Sequence, residues 1–521
     1  MFKKHTEYQS TLFGTPVFSV KAQNMLEDKN AWQNQFYKNV TCNIDDTVFA
    51  VMFESNTGRP VSDIRTMVAM RILKEGMGCS DQVLFEQCRF SVLFRRALGL
   101  YSFDDPIPAE SSYYRFYALV SKYYLEKNIN LFEEEFKKIT KEQILKYEIP
   151  GKVVRMDSKL IGSNIASYPR YKIVHSTLVK YFKNHSVNVS GLDDKLQREL
   201  LELLKENADK TVYESDAQGI KDRMLHLGIL INEIMKAPDF DKAGGSLLVR
   251  VFNEQYTVNE KGIVEVIPSS KVSARSVQNP NDPDASYRNK RGTKVKGYTH
   301  NLTETCDTET CQSASGEVVK KPGLIVDVQT ETASTQDADM YPTGILGAES
   351  VTGNHVETAV CDGGFFTPAN EDFARKNNTN PVHTGFQGKN HKYELNYNAK
   401  DDHLEVTDTE TGENIPAIKT KSKGQKAWRI DVTSKEGKVS RRYFTMDNIK
   451  GTLRRKAVEN LPLATRQLRN NVEAAMFQLS VYLRNNKTRY RGKIKESIFS
   501  FARSLWMNCV RLREFEVRMA R

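Results

Sequence analysis

The sequence predicts an α/β protein of several modules, and three observations carry that reading. The run GKVVRMDSKLIGSNIAS, residues 151 to 167, has the content of a β-strand, with Val153, Val154, Met156, Leu160 and Ile161 around a single acid, Asp157. Further strand patterns follow in TKVKGYTHNLTE, GLIVDVQTETAS and HVETAVCDGGF, the last of them leading into a helical segment. Helical periodicity fills the chain before the first strand and again from Asn448 onward. At 521 residues the chain is too long for one ordinary core, so about two to four domains are expected.

The first module, residues 1–148, reads as helical. In PVSDIRTMVAMRILKEGM the residues Ile64, Met67, Val68, Ile72 and Leu73 share one face, Pro60 suits the helix start, and GMGCS ends it. Ser80 is placed to cap DQVLFEQCRFSVLFRRALGL, which carries Arg89, Arg95 and Arg96. FDDPIPAESS breaks the chain before a further helix from about Ser112. Short helices with turns and arginines are compatible with a helix-turn-helix DNA reader, and equally with a helical scaffold.

Two insertions interrupt the second module, residues 149–521. Between about 170 and 275, Leu196, Leu200 and Leu203 and then Ile220, Met224, Leu227, Ile231 and Ile234 recur at spacings of three and four, an a/d seam for helices packed on each other. VQNPNDPDASYRNKRG reads as a turn-rich basic linker. Between about 388 and 446 polar and apolar residues alternate around Gly and Asp turns, which predicts a β-rich insertion.

The net charge is +11, and all of the excess lies near the C-terminus: Asp447 to Arg521 holds 17 Lys or Arg against 6 Asp or Glu. Such a segment suits a polyanionic partner such as nucleic acid, or a solvated basic face. No apolar run approaches the roughly 20 residues of a membrane span, and no secretory signal is visible. Seven cysteines at irregular spacing fit free thiols in a reducing, cytoplasmic setting.

Several chemistries are set aside. The chain has no G-x-x-x-x-G-K-[ST] loop, no H-E-x-x-H and no paired C-x-x-C, and Cys306 and Cys311 lack a second pair for zinc. What remains is a set of acids. Asp362 follows a β-prone run and precedes two glycines, at the strand end where α/β sheets bind ligands, although a turn or cap role fits it equally. Glu473 lies on a helix beside Val472, Met476 and Leu479, so its carboxylate is expected to tip toward the core, with Arg469 and Arg466 one and two turns earlier on the same side. A structural salt bridge or a carboxylate ligand flanked by phosphate-holding arginines would each explain it. Two acids on strands and one on a helix suit hard divalent cations, which take oxygen ligands.

At this point the residues resemble a known family. RMDSKLIGSNIA, DPDASYRNKRGTKVKGYTHNL, VETAVCDGGF and RNNVEAAMFQL with TRYRGK and WMNCVRL look, in that order, like the DDE transposases of bacterial insertion sequences, and the segment from Gly58 to Leu100 resembles their N-terminal helical domain. The resemblance implies a ribonuclease H-like mixed sheet flanked by helices. It implies Asp157, Asp362 and Glu473 as the catalytic, metal-holding acids, with Mg2+ as cofactor and Mn2+ able to substitute. Arg469 is similar to the family's DNA-contacting arginine. Arg466 stands where many relatives have Tyr, and Ser480 where many have Lys, so Lys487, Arg489, Arg491 and Lys493 are expected to supply charge to the DNA. The implied partners are double-stranded DNA, as inverted repeats and target, and a second copy of the chain; the implied location is cytoplasmic and nucleoid-associated. A nuclease of the same fold without strand transfer, an inactive DNA-binding protein and a protein-binding scaffold with structural acids are the alternatives.

Overall fold

The computed structural model of the chain describes residues 2–5, 19–53, 60–184, 194–290, 292–385, 392–433 and 439–521; the side chains at 466 and 469–471 lie outside the described residues. Among the described residues the first α-helices are α1 (Val20–Glu27), α2 (Trp32–Asn39), α3 (Ile64–Met77), α4 (Asp81–Phe90), α5 (Val92–Ala97), α6 (Glu110–Lys127) and α7 (Leu131–Lys146). Pro60 lies outside α3, whose N-terminus is capped by the Asp63 carboxylate accepting from Thr66 N; Gly78 closes it in the left-handed conformation that its missing Cβ permits. The Ser80 hydroxyl caps α4 as its sequence predicts, and α6 starts slightly early, at Glu110.

β1 (Val153–Gly162) then leads into five helices, α8 (Arg170–Asn184), α9 (Asp194–Lys205), α10 (Ala208–Glu214), α11 (Ala217–Lys236) and α12 (Ser246–Gln255), and a small hairpin of β2 (Tyr256–Val258) and β3 (Val264–Val266). These bury a core of their own in which Leu200, Leu203, Met224, Leu227, Ile231 and Ile234 meet, so the spacing read as a seam is one, shared among more helices than a pair. The supposed linker before residue 293 contains a strand, β4 (Ser286–Lys290), which pairs antiparallel with the long β5 (Thr293–Thr305).

The next elements are the short hairpin of β6 (Thr310–Gln312) and β7 (Val318–Lys320), then β8 (Ile325–Thr332), α13 (Tyr341–Thr352), β9 (Thr358–Cys361), α14 (Pro368–Lys376) and β10 (Asn380–His383). The β-rich insertion follows as two three-stranded sheets, β11 (Tyr393–Asn398), β12 (His403–Asp408) and β13 (Asn414–Pro416), then β14 (Ile418–Ser422), β15 (Gln425–Thr433) and β16 (Val439–Thr445). Leu395, Val406, Trp428 and Ile430 close a core between them. The chain ends in α15 (Met446–Glu459), α16 (Leu463–Ser480) and α17 (Lys493–Met519). No described helix is long and apolar enough to cross a membrane.

The main sheet has six strands in the order β10, β9, β1, β5, with β4 and β8 both on the far side of β5. β5 is antiparallel to β1 and to β8, whereas β9 is parallel to β1 and β10 parallel to β9. Pro381 is tolerated because β10 is an edge strand. Val154 and Met156 point to one face, packing with Val326, Ile345 of α13 and Ala359. Ile161, Leu302 and Val328 point to the other, where they share one continuous core with Phe36, Ile72, Phe116 and Phe136 of the N-terminal helices and Phe499 and Leu505 of α17. The N-terminal helices therefore form a layer on the sheet, built around α3, which is buried on nearly every side. Asn508 pins α17 to the edge of the sheet, accepting from Ile325 N at 2.8 Å and donating to Ile325 O at 2.9 Å.

Candidate active site

The parallel pairing of β1 with β9 matches Val153 with Thr358, Val154 with Ala359 and Arg155 with Val360. Continued by two residues, that register sets Asp157 level with Asp362, on neighbouring strands spaced about 4.8 Å apart. Residues matched across strands share a face, so Asp157 and Asp362 point the same way as Arg155 and Lys159, away from the α13 side. Asp157 Oδ1 accepts from Ser158 N at 2.8 Å, and Asp362 Oδ1 accepts from Gly363 N at 2.6 Å, capping the short turn beyond β9. Both acids are half-buried. Asp362 is thus a cap and a strand-end acid at once.

Two side chains of β1 fix α16 along the strand. Arg155 Nη1 donates to Leu468 O at 2.8 Å, and Lys159 Nζ donates to Met476 O at 3.3 Å and Ser480 Oγ at 2.6 Å. The helix rises about 12 Å between Leu468 and Met476, and the strand advances about 13 Å from Arg155 to Lys159. Helix and strand therefore run in step, and Glu473 falls inside the bracket at the level of Asp157. Val472, Met476 and Leu479 are buried as their spacing predicts, but Glu473 is exposed, not tipped into the core, because it stands at the rim of that apolar stripe. Among the described residues no three His, Cys, Asp or Glu side chains close into a group that could hold a metal ion. Bare carboxylates repel one another, so a backbone frame that brings the three acids level does not by itself draw their side chains together.

Arg155 is itself fixed by a buried network: its Nε meets Glu304 Oε1 at 2.5 Å, and Arg511 Nη1 meets Glu304 Oε2 at 2.6 Å, with Glu304 fully buried. Burial pulls the Lys159 ammonium below its ordinary range, while the Asp157 carboxylate acts to raise it. Lys159 was legible only as a strand residue. Its position two residues after Asp157, on the same face, was the available signal, and through Ser480 it delivers a cation to the point on α16 where the resemblance leads one to expect lysine.

The basic loop after α16 continues the sheet. Gly162 N donates to Asn486 O at 2.9 Å and Thr488 N to Gly162 O at 3.0 Å, so the loop runs beside the end of β1. A Cβ at Gly162 would come within 2.8 Å of Lys487, which is why the close approach needs glycine. Lys487 Nζ donates to Ile165 O at 3.1 Å, Arg491 Nε to Asn164 O at 2.6 Å and Arg489 Nη1 to Cys79 O at 2.6 Å, while Lys493 pairs with Glu331 at 2.7 Å. Lys487, Arg489 and Arg491 remain exposed.

The N-terminal arginines divide. Arg89 is exposed, 3.7 Å from Glu110, and Arg96 is half-buried over the Tyr101 ring at 4.7 Å. Arg95 is 3% exposed and is not a surface residue: its guanidinium donates to the carbonyls of Cys88, Ser102 and Asp105, and so closes the turn after α5. The backbone of α16 carries Arg466 and Arg469, whose side chains lie outside the described residues.

Comparison with known proteins bears on the N-terminal layer. Residues 24–119, from α1 into α6, match a family described as a transposase domain (DUF772). Neither a curated protein nor a solved structure matches the chain.

Proposed function

We propose that the chain is a DNA transposase of the DDE type, with a ribonuclease H-like core in which Asp157, Asp362 and Glu473 are the catalytic acids. The observation that carries this reading is the register placing Asp157 level with Asp362 on parallel strands, with α16 bracketed beside them by Arg155 and Lys159. The strand order β8, β5, β1, β9, β10, antiparallel on one side of β1 and parallel on the other, supports the fold, and the transposase-domain match supports the role.

Three carboxylates offer the hard oxygen donors that Mg2+ or Mn2+ takes. Asp157 and Asp362 would hold such ions from the sheet, and Glu473 would complete the set by turning its exposed side chain inward. When bound, a pair of ions supplies activation of the attacking oxygen and charge for the leaving one. The reaction is two in-line displacements at phosphorus. In the first, the oxygen of water bonds to phosphorus and the 3′ oxygen of the element end leaves; in the second, that 3′-hydroxyl attacks a target phosphate and a target 3′ oxygen leaves.

The chain's own contribution is positioning. Lys159 faces the acids and would meet a phosphate there; Arg466, Arg469, Lys487, Arg489, Arg491 and Lys493 would hold backbone phosphates along the strand end. Arg89 and Arg96 would face the inverted repeats. Two copies would bring two ends together as a homodimer.

A strand-transfer assay with a precut end tests the proposal. Joined products support it, hydrolysis without joining favours a nuclease of the same fold, and binding without either favours a DNA-binding protein.

A further inference from the structure

A cleft of about 750 Å3 opens beside Asp362, within the range of about 300 to 1,000 Å3 typical of small-molecule sites. Gly363 and Phe366, from the turn directly after Asp362, form one side with His383 of β10; Asn448, Gly451 and Arg454 of α15 form the other.

Two features show that this cleft is built. The Arg454 guanidinium lies 3.6 Å from the centroid of the Phe366 ring and is held there by Glu371, whose Oε1 accepts from Nε at 3.2 Å and Oε2 from Nη2 at 3.4 Å. The His383 ring stands edge-on to Phe366 at 5.5 Å. A guanidinium with one face on an aromatic ring keeps the other for a second π system, and unstacked nucleobases take such planes.

The second feature is Gly451. It sits in the interior of α15, where glycine costs about 0.5–1 kcal/mol relative to alanine. A Cβ there meets nothing within 4 Å, and the backbone is in no conformation that needs glycine. Packing does not call for it; the consequence of having no side chain at 451 is an open cleft.

We infer that this cleft receives an unpaired nucleobase of the DNA strand whose phosphate lies at the acids, stacked on the Arg454 plane. The inference rests on the proposed DNA-cutting role, because the cleft begins one residue after Asp362 and so takes the neighbouring nucleotide. Asn448 Oδ1 is engaged in capping α15, accepting from Thr445 N at 2.8 Å and Thr445 Oγ1 at 3.0 Å, so its Nδ2 is the group that would donate to a base edge, and the ion pair with Glu371 fixes the stack before the base arrives.

The test uses the full chain and two duplexes of one sequence, one blunt and one with a short forked end, each carrying 2-aminopurine at the position that the fork leaves unpaired. At about 0.15 M salt the forked duplex should bind about ten-fold more tightly, the worth of one stacked base, with its fluorescence quenched in the complex. Gly451→Phe puts a ring at a lining position where an added Cβ has no neighbour within 4 Å, so it should keep the melting temperature and bind the fork no better than the blunt duplex. Arg454→Lys, which keeps the charge and loses the plane, should do the same. Equal wild-type affinities for the two duplexes, or a Gly451→Phe variant that retains the fork preference, would overturn the inference while the DNA-binding role stands. Failure to bind the blunt duplex at all would remove that role and the inference with it.

Discussion

Arg155 ties the strand that bears Asp157 to the helix that bears Glu473: its Nη1 donates to Leu468 O at 2.8 Å, five residues before Glu473, while its Nε is fixed by the buried Glu304. The consequence is a third acid whose level is set from the sheet and not by α16 alone.

Arg155→Met should therefore act on both stability and chemistry. It breaks a buried charge network, which costs about 3 kcal/mol in denaturant unfolding. It also frees α16 at Leu468, so cleavage should fall more than duplex affinity does. Equal losses in both would mean that Arg155 only stabilises the fold.

Lys159 is expected to act on phosphate. Lys159→Gln removes one cation beside Asp157 and leaves a polar, uncharged side chain of similar shape, so the melting temperature should change little. The slope of log affinity against log salt should shrink by about 0.9, one phosphate contact. An unchanged slope would leave Lys159 a purely structural link to α16.

The arginines of the N-terminal layer should separate by burial. Arg95→Ala strands carbonyls at Cys88, Ser102 and Asp105 and should cost about 2 kcal/mol of stability. Arg89→Ala should leave stability unchanged and weaken duplex binding. The pair of measurements, thermal melting and filter binding, would contradict this assignment if the two effects were exchanged.

Two buried acids set a pH dependence. Burial pushes Asp327 up to about 7 and Glu135 up to about 8. Between the ordinary carboxylate range and those values the native chain keeps protons that the unfolded chain has released, so the contribution of these two acids to stability should decline as pH rises from about 4 to 8 and level off above. Asp327→Asn should flatten the lower part of that decline and raise stability at pH 8, read from melting curves across the range. A variant as pH-sensitive as the wild type would show that Asp327 is not a source of the slope.

Much of this arrangement is legible in the sequence, for physical reasons that differ by element. The strand around Asp157 shows because apolar residues crowd its two faces, and Ser80 shows as a cap because a hydroxyl before a helical run has one obvious use. The β4 strand hides because Asn281, Asp282 and Pro283 dominate the stretch before it, and its pairing depends on β5. Exposure at Glu473 and burial at Arg95 are invisible for the same reason: both sit on amphipathic helices, and only the neighbouring layer decides which rim residue is covered. The level pairing of Asp157 with Asp362 is beyond any local pattern, since it depends on a register between strands 205 residues apart.

The central claim is that these three acids form one catalytic site. Its most direct measurement is Mg2+-dependent cleavage of a duplex carrying the element's ends by Asp157→Asn, Asp362→Asn and Glu473→Gln, each with its duplex affinity measured alongside. The account predicts that every variant loses cleavage by at least about a thousand-fold, the loss of roughly 4 kcal/mol of transition-state stabilisation, while binding DNA as the wild type does. Retained cutting by any of the three would contradict it.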